Sequence, residues 1–147
     1  MMSMVTKKKN KRKSKLRSGL EKRVAKSLTK RGMKYKLETY SYNYKVKIRA
    51  ECASCGSKEC YTNQWYTPDF FLANDIIVET KGNFTGKDRK KMQAMKLLHP
   101  DLDLRIVFHR DNKLSKLSTT RYSEWAENLG YQWAIGDIPD EWLKETK

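Results

Sequence analysis

Hydrophobic positions in this chain change their spacing several times, and each change marks an element. Leu20, Val24 and Leu28 recur at helical intervals. Ser18 precedes them and Glu21 follows it by three. That is the spacing of a capping box, in which each side chain accepts a hydrogen bond from the other residue's backbone N–H. Gly32 is placed to end the helix, so the pattern predicts helix over about residues 19–31. From Tyr35 to Ile48 the spacing becomes two. Tyr35 and Leu37 share one side of a pleat, then Tyr40, Tyr42, Tyr44, Val46 and Ile48 alternate in turn. No Gly or Pro interrupts this run, so it reads as one long strand or as a strand that bends without a tight hairpin.

Residues 51–64 read as a loop. Phe70-Phe71-Leu72 and Ile76–Lys81, joined by Ala73-Asn74-Asp75, form a predicted hairpin closed by Gly82. Met92, Met95 and Leu98 give residues 87–98 an apolar helical face, stopped by His99-Pro100. Leu104–Phe108 is a short buried strand. Residues 123–129 are helical with Trp125 and Leu129 inward, residues 131–134 can be a strand, and Pro139 opens a last short helix through Trp142. The alternation predicts an α/β fold with a mixed central β-sheet flanked by helices.

Charge is distributed unevenly along this order. Residues 1–36 hold 15 basic side chains and one acid, Glu21, leaving 17 basic and 16 acidic groups in the remainder. Residues 1–15 contain little to bury and are expected to be a disordered basic arm, with residues 16–147 one domain. A charge so concentrated suits a polyanion, because cations that neutralise phosphates release counterions. A solubilising or localising tail is the alternative. No segment approaches the roughly 20 apolar residues of a membrane span, and the basic start is not followed by an apolar stretch. A soluble, cytoplasmic protein is expected.

The chemistry concentrates at Pro68-Asp69 and, ten residues on, Glu79-Thr80-Lys81. Side chains alternate on a strand, so Glu79 and Lys81 share a face. If the hairpin pairs as expected, Asp69 lies beside them. Two carboxylates offer hard oxygen ligands to Mg²⁺, and a lysine alongside can orient water or stabilise charge on a phosphodiester under attack. An edge strand with an ordinary surface Glu–Lys pair is the alternative. Glu21 can add a carboxylate, or simply cap its helix. Lys87, Arg89, Lys90 and Lys91 form a basic cluster just after Gly82 that is either a DNA-backbone contact or a solvated helix face. Tyr40, Tyr42 and Tyr44 suit packing at a seam better than base stacking. His109 follows the buried strand towards the same edge. No Gly-rich phosphate loop or nucleotide-binding fingerprint is present.

The Asp69…Glu79-x-Lys81 pattern resembles the PD-(D/E)xK nuclease superfamily. Wider blocks are similar to the phage endonuclease I family of Holliday-junction resolvases. They are Arg17–Glu21, Tyr66–Phe70, Val78–Gly82, Asp88–Lys91 and His99–Phe108. The resemblance covers roughly residues 16–145. It implies a restriction-endonuclease-like core, a catalytic set of Glu21, Asp69, Glu79 and Lys81, and Mg²⁺ or Mn²⁺ held by Asp69, Glu79 and Glu21. It also implies paired nicks in branched DNA by an intertwined homodimer. There residues 40–50 would bridge the two chains, and Glu21 would serve the partner's site. Lys11, Arg12, Lys13, Lys15 and Arg17 are then expected to add affinity for DNA. A related nuclease for linear or damaged duplex, or a non-catalytic DNA-binding protein, are the other readings.

Cys52, Cys55 and Cys60 depart from that family pattern. Cys-x2-Cys is half of a structural zinc site, but such sites want four ligands and a fourth is not obvious. Zn²⁺ and three free thiols both remain open, and a disulfide framework is not expected in a reducing compartment.

Overall fold

A strand apolar on both faces must be covered on both faces, and Leu104–Phe108 (β7) is buried at all five positions. It lies beside Ile77–Lys81 (β6), and the two run parallel, linked through the helix Gly86–Leu98 (α2). Phe70–Leu72 (β5) pairs antiparallel with β6, and Tyr35–Leu37 (β2) with β5. On the far side Trp133–Ile135 (β8) adds a parallel strand after the helix Tyr122–Asn128 (α3). The result is a mixed five-stranded sheet in the order β2-β5-β6-β7-β8. The computed structural model describes residues 6–11, 15–47 and 61–146.

Alternation along the strands divides the core in two. Ile77, Ile106 and Phe108 face α2 and α3, meeting Met92, Met95, Tyr122 and Ala126. Phe70, Val78 and Val107 face the opposite way. There they meet Leu20, Val24, Ala25 and Leu28 of the helix Gly19–Lys30 (α1), and Trp142 of the helix Asp140–Lys144 (α4). Arg105 is the one charged side chain of β7. It is buried over Trp142 and held by two carboxylates, Asp103 and Glu145, through paired hydrogen bonds. Such forked pairing satisfies a guanidinium that would otherwise destabilise the interior.

Three expectations are narrowed or corrected. First, of the two readings of the run from Tyr35 the bend is the one found: it breaks at Glu38, whose φ is +42°, and resumes as Tyr40–Lys47 (β3). The parity of the apolar positions shifts at that same place, from odd to even, so the bend left a trace in the sequence although no glycine marks it. Second, the loop ends earlier than expected, because Tyr61–Tyr66 (β4) is a strand paired with β3. Third, the basic arm is partly ordered. Lys7–Lys9 (β1) pairs with Tyr40–Tyr42 and its lysines rest on aromatic faces, Lys7 on Tyr40 and Lys8 on Trp65. Backbone pairing and cation–π contact together supply what the arm lacks in apolar bulk. A second sheet therefore exists, β1-β3-β4, beside the expected one.

Tyr42 and Tyr44 are buried by packing on α2 within the same chain, and His99 Nε2 lies 2.7 Å from the Asn43 carbonyl. Within one chain, residues 40–42 pair with β1 and residues 42–47 with β4. Residues 48–50 and all three cysteines lie outside the described residues.

The start of α2 is fastened by a capping box that the sequence reading missed. Thr85 Oγ1 accepts from Asp88 N, and Asp88 Oδ2 accepts from Thr85 N. Replacing Thr85 with Ala should destabilise the protein by about 1 kcal/mol. That lowers the melting temperature by about 2–4 °C for a chain of this size, while Thr85→Ser keeps most of the stability. Calorimetric melts of the three proteins check this, and identical melts would mean that the box contributes nothing.

Candidate active site

The β5–β6 register decides where the chemistry lies. Phe70 stands opposite Val78 and Phe71 opposite Ile77, so the next pair outward is Asp69 with Glu79. Pro68 is fully buried and fixes the chain just before Asp69. The Asp69 carboxylate is then pinned by Thr80, whose backbone N–H and hydroxyl donate to the same Oδ2 at 2.9 and 2.7 Å. Its other oxygen, Oδ1, has no hydrogen-bond partner among the described residues.

Glu79 is buried and engaged at both oxygens. Tyr66 donates its hydroxyl to Oε2 at 2.6 Å, and Lys81 Nζ lies 3.2 Å from Oε1. The shared face expected of Glu79 and Lys81 is therefore realised as a direct ion pair. Lys81 also meets Asp88 Oδ1 at 3.1 Å, and Lys91 approaches that same oxygen at 3.7 Å. These groups line a polar cleft of about 540 Å³ together with Asn10, Arg17, Glu21, Glu38 and Lys87. Size alone does not mark the site. A wider groove of about 1030 Å³ beside Met33, Tyr35 and Phe71 contains none of the four expected catalytic residues.

Burial and crowding set the protonation of the cleft. Burial, and then the Glu79 carboxylate, push Asp69 up to about 8 although the Thr80 hydrogen bonds oppose this, and Glu21 adds to the rise. Lys81 moves upward, since Glu79 and Asp88 overcome the burial that alone would lower it. It stays an ammonium at neutral pH. Partial burial alone would raise Asp88, yet Lys81 beside it holds its carboxyl below the usual range. Burial and then the charge of Lys81 lower Lys91. Tyr66 is raised well above an ordinary phenol, by burial and then by Glu79, so it remains the donor in its bond to Glu79.

All four expected catalytic residues, Glu21, Asp69, Glu79 and Lys81, line this cleft within one chain. Glu21 comes here from the same chain as the other three. Its capping box is half formed. Glu21 N donates to Ser18 Oγ, but the Glu21 carboxylate reaches past Ser18 to the Arg17 N–H. Of the basic cluster, Lys87 and Lys91 line the cleft. Arg89 is occupied with the Phe84 carbonyl and Lys90 is exposed away from the lining. In the basic arm Lys11, Lys15 and Arg17 are exposed, and Arg12 and Lys13 lie outside the described residues. His109 follows β7 and its N–H bonds the Lys81 carbonyl, but its side chain is not in the cleft lining.

Tyr66, Thr80 and Asp88 were missed. Each lay inside a block that looked meaningful, but their roles depend on side-chain directions that no spacing rule supplies. Among the described residues no three His, Cys, Asp or Glu side chains converge as a ready-made metal cage. The donor set that does exist is a pair of hard carboxylates, one with an oxygen that no hydrogen bond among the described residues engages. That set fits a divalent oxygen-seeking ion whose remaining ligands come from elsewhere.

Comparison with known proteins places this geometry. Endonuclease I of Escherichia phage T7 is 42% identical over 132 residues, which are 89% of this chain and 80% of that protein. Endodeoxyribonuclease 1 of Enterobacteria phage T3 is 39% identical over 132 residues, 89% of this chain and 78% of that protein. The phage endonuclease I family matches residues 2–147, and the chain belongs to that family.

Proposed function

We propose that the protein is a metal-dependent deoxyribonuclease that hydrolyses phosphodiesters at branch points, four-way junctions among them. Family membership supports the coarser part, an endonuclease. The observation that carries the chemistry is the convergence of Asp69, Glu79 and Lys81 in one cleft whose rim holds Arg17, Lys87 and Lys91. Phosphate contacts carry no sequence information, so this rim favours recognition by backbone path over recognition by bases.

Asp69 and Glu79 are the residues that would hold Mg²⁺ or Mn²⁺, with Glu21 close enough to add to the field. The ion's contribution, when bound, is to polarise the phosphodiester and make water a better nucleophile. The protein's own residues do the rest. Lys81 is fixed between two carboxylates and permanently charged, so it suits stabilisation of the extra negative charge of the transition state and not proton abstraction. Tyr66 locks one oxygen of Glu79, which reduces the reorganisation needed at the moment of reaction. Thr80 does the same for Asp69. Two such sites in a homodimer would cut two strands in one encounter, which makes oligomeric state in solution a companion measurement.

The test is cleavage of a four-way junction and of a linear duplex of the same sequence, in Mg²⁺ and in EDTA. Junction-selective nicking only with Mg²⁺ is expected. Glu79→Gln and Lys81→Ala should each lower the rate by at least about 10²-fold while junction binding persists. Equal cutting of both DNAs would retain a nuclease and discard branch selectivity. If both variants unfold, their role is structural and the assignment fails.

Asp69 provides an independent check that involves no cleavage. A carboxyl raised by folding binds its proton more tightly when folded than unfolded. Its contribution to stability is therefore present at acid pH and lost as pH rises from about 4 towards 8. Without divalent cations, wild type should lose stability relative to Asp69→Asn between pH 5 and 7.5. The loss is at most about 1.4 kcal/mol per pH unit, the limit for one proton. Mg²⁺ should restore wild type at pH 7.5 and leave Asp69→Asn unmoved. Denaturant melts of both proteins decide this, and a pH-independent difference between them would remove the argument for a shared proton and ion site.

A further inference from the structure

The second sheet has two unlike faces. On one, Tyr42, Tyr44 and Tyr66 are buried on α2. On the other, the register places Lys8, Lys45, Tyr61, Asn63 and Trp65 together, and all five are exposed. The three strands β1, β3 and β4 contain five lysines and no acidic residue in their 17 positions. Trp65 is 43% exposed although tryptophan is among the residues a fold most readily buries. Lys8 Nζ lies over its ring, 3.8 Å from the centroid. Such a contact is weak at an exposed site, so the ring can exchange it for a better partner while the ammonium turns to a phosphate.

Position gives this ring a use. Trp65 lines the catalytic cleft with Gln64, Asn10 and Arg17. Its chain neighbour Tyr66 points to the other face, where its hydroxyl holds Glu79. A group stacked on Trp65 would thus stand at the edge of the cleft. We propose that Trp65 is a stacking platform for an unpaired or splayed base of the DNA next to the cut, with Lys8 and Lys45 facing its backbone. Every base has a π-face, so this contact ignores sequence and rewards unstacked bases. Intact duplex offers few of those and a branch point offers several. The platform rests on the nuclease reading for its role in cutting, but its binding does not require cutting.

The experiment uses the full chain in EDTA, where nothing is cleaved, with a four-way junction and a short oligothymidylate as probes. Anisotropy gives affinity and intrinsic fluorescence reports the ring. Trp65→Ala should bind both probes about tenfold more weakly and should lack the quenching that the oligothymidylate produces in wild type. Trp65→Leu keeps apolar bulk without a π-face and should behave like Trp65→Ala. Trp65→Phe should recover most of the affinity, and all variants should melt like wild type because the ring is exposed. Equal affinity in Trp65→Ala, or undiminished quenching, overturns the platform. Junction cutting by a wild type whose Trp65→Ala variant binds normally would retain the nuclease and discard the platform. Quenching and weakened binding in a protein that cuts nothing would do the reverse.

Discussion

The site depends on one unfavourable pairing, two carboxylates brought side by side by a hairpin that has no other register open to it. Sliding β5 against β6 by one residue would turn Phe70 and Val78 out of the core on which α1 packs. Hydrophobic burial therefore enforces the approach of Asp69 to Glu79, and the surrounding residues are arranged to tolerate it. Thr80 donates twice to Asp69, Tyr66 donates to Glu79, and Lys81 lies against Glu79. What this leaves uncompensated appears in Asp69, which keeps a proton well above the ordinary carboxylate range.

Lys81 shows how the same constraint spreads. An ammonium between Glu79 and Asp88 cannot be moved without disturbing both. Asp88 is at once the partner of Lys81 and the third residue of α2, which closes its capping box with Thr85. The first turn of α2 is thereby tied to the end of β6, and the crossover that links the two parallel strands begins at the chemistry itself. Lys91, one turn further along α2, lies over the Tyr66 ring and reaches the same Asp88 oxygen.

Much of this was legible in the residues. Period-two and helical spacings marked the five-stranded sheet and its helices, and Asp69, Glu79 and Lys81 were readable because strand alternation and one hairpin suffice to gather them. Glu21 was legible only as a helix cap or through family resemblance, since nothing local says that the first turn of α1 borders the cleft. Tyr66, Thr80 and Asp88 were not legible as site residues. Tyr66 reads as one more strand aromatic, and Thr80 sits on the strand position that alternation assigns to the other face. The second sheet was hidden for a related reason. Lys7–Lys9 has no apolar pattern at all, and its pairing depends on partners over thirty residues away.

That hidden sheet changes how the basic arm should be understood. A free polycation gains affinity for any polyanion and gives up the same amount of order wherever it lands. An arm whose lysines are already held on tyrosine and tryptophan rings in a strand has surrendered part of that entropy on folding. One of its charges, Lys8, then lies on the ring next in sequence to the tyrosine that holds Glu79. Charge in this protein is therefore a matter of position more than of amount. The body is nearly neutral, while three lysines of the excess are held in an ordered strand, Lys7–Lys9, paired with residues 40–42.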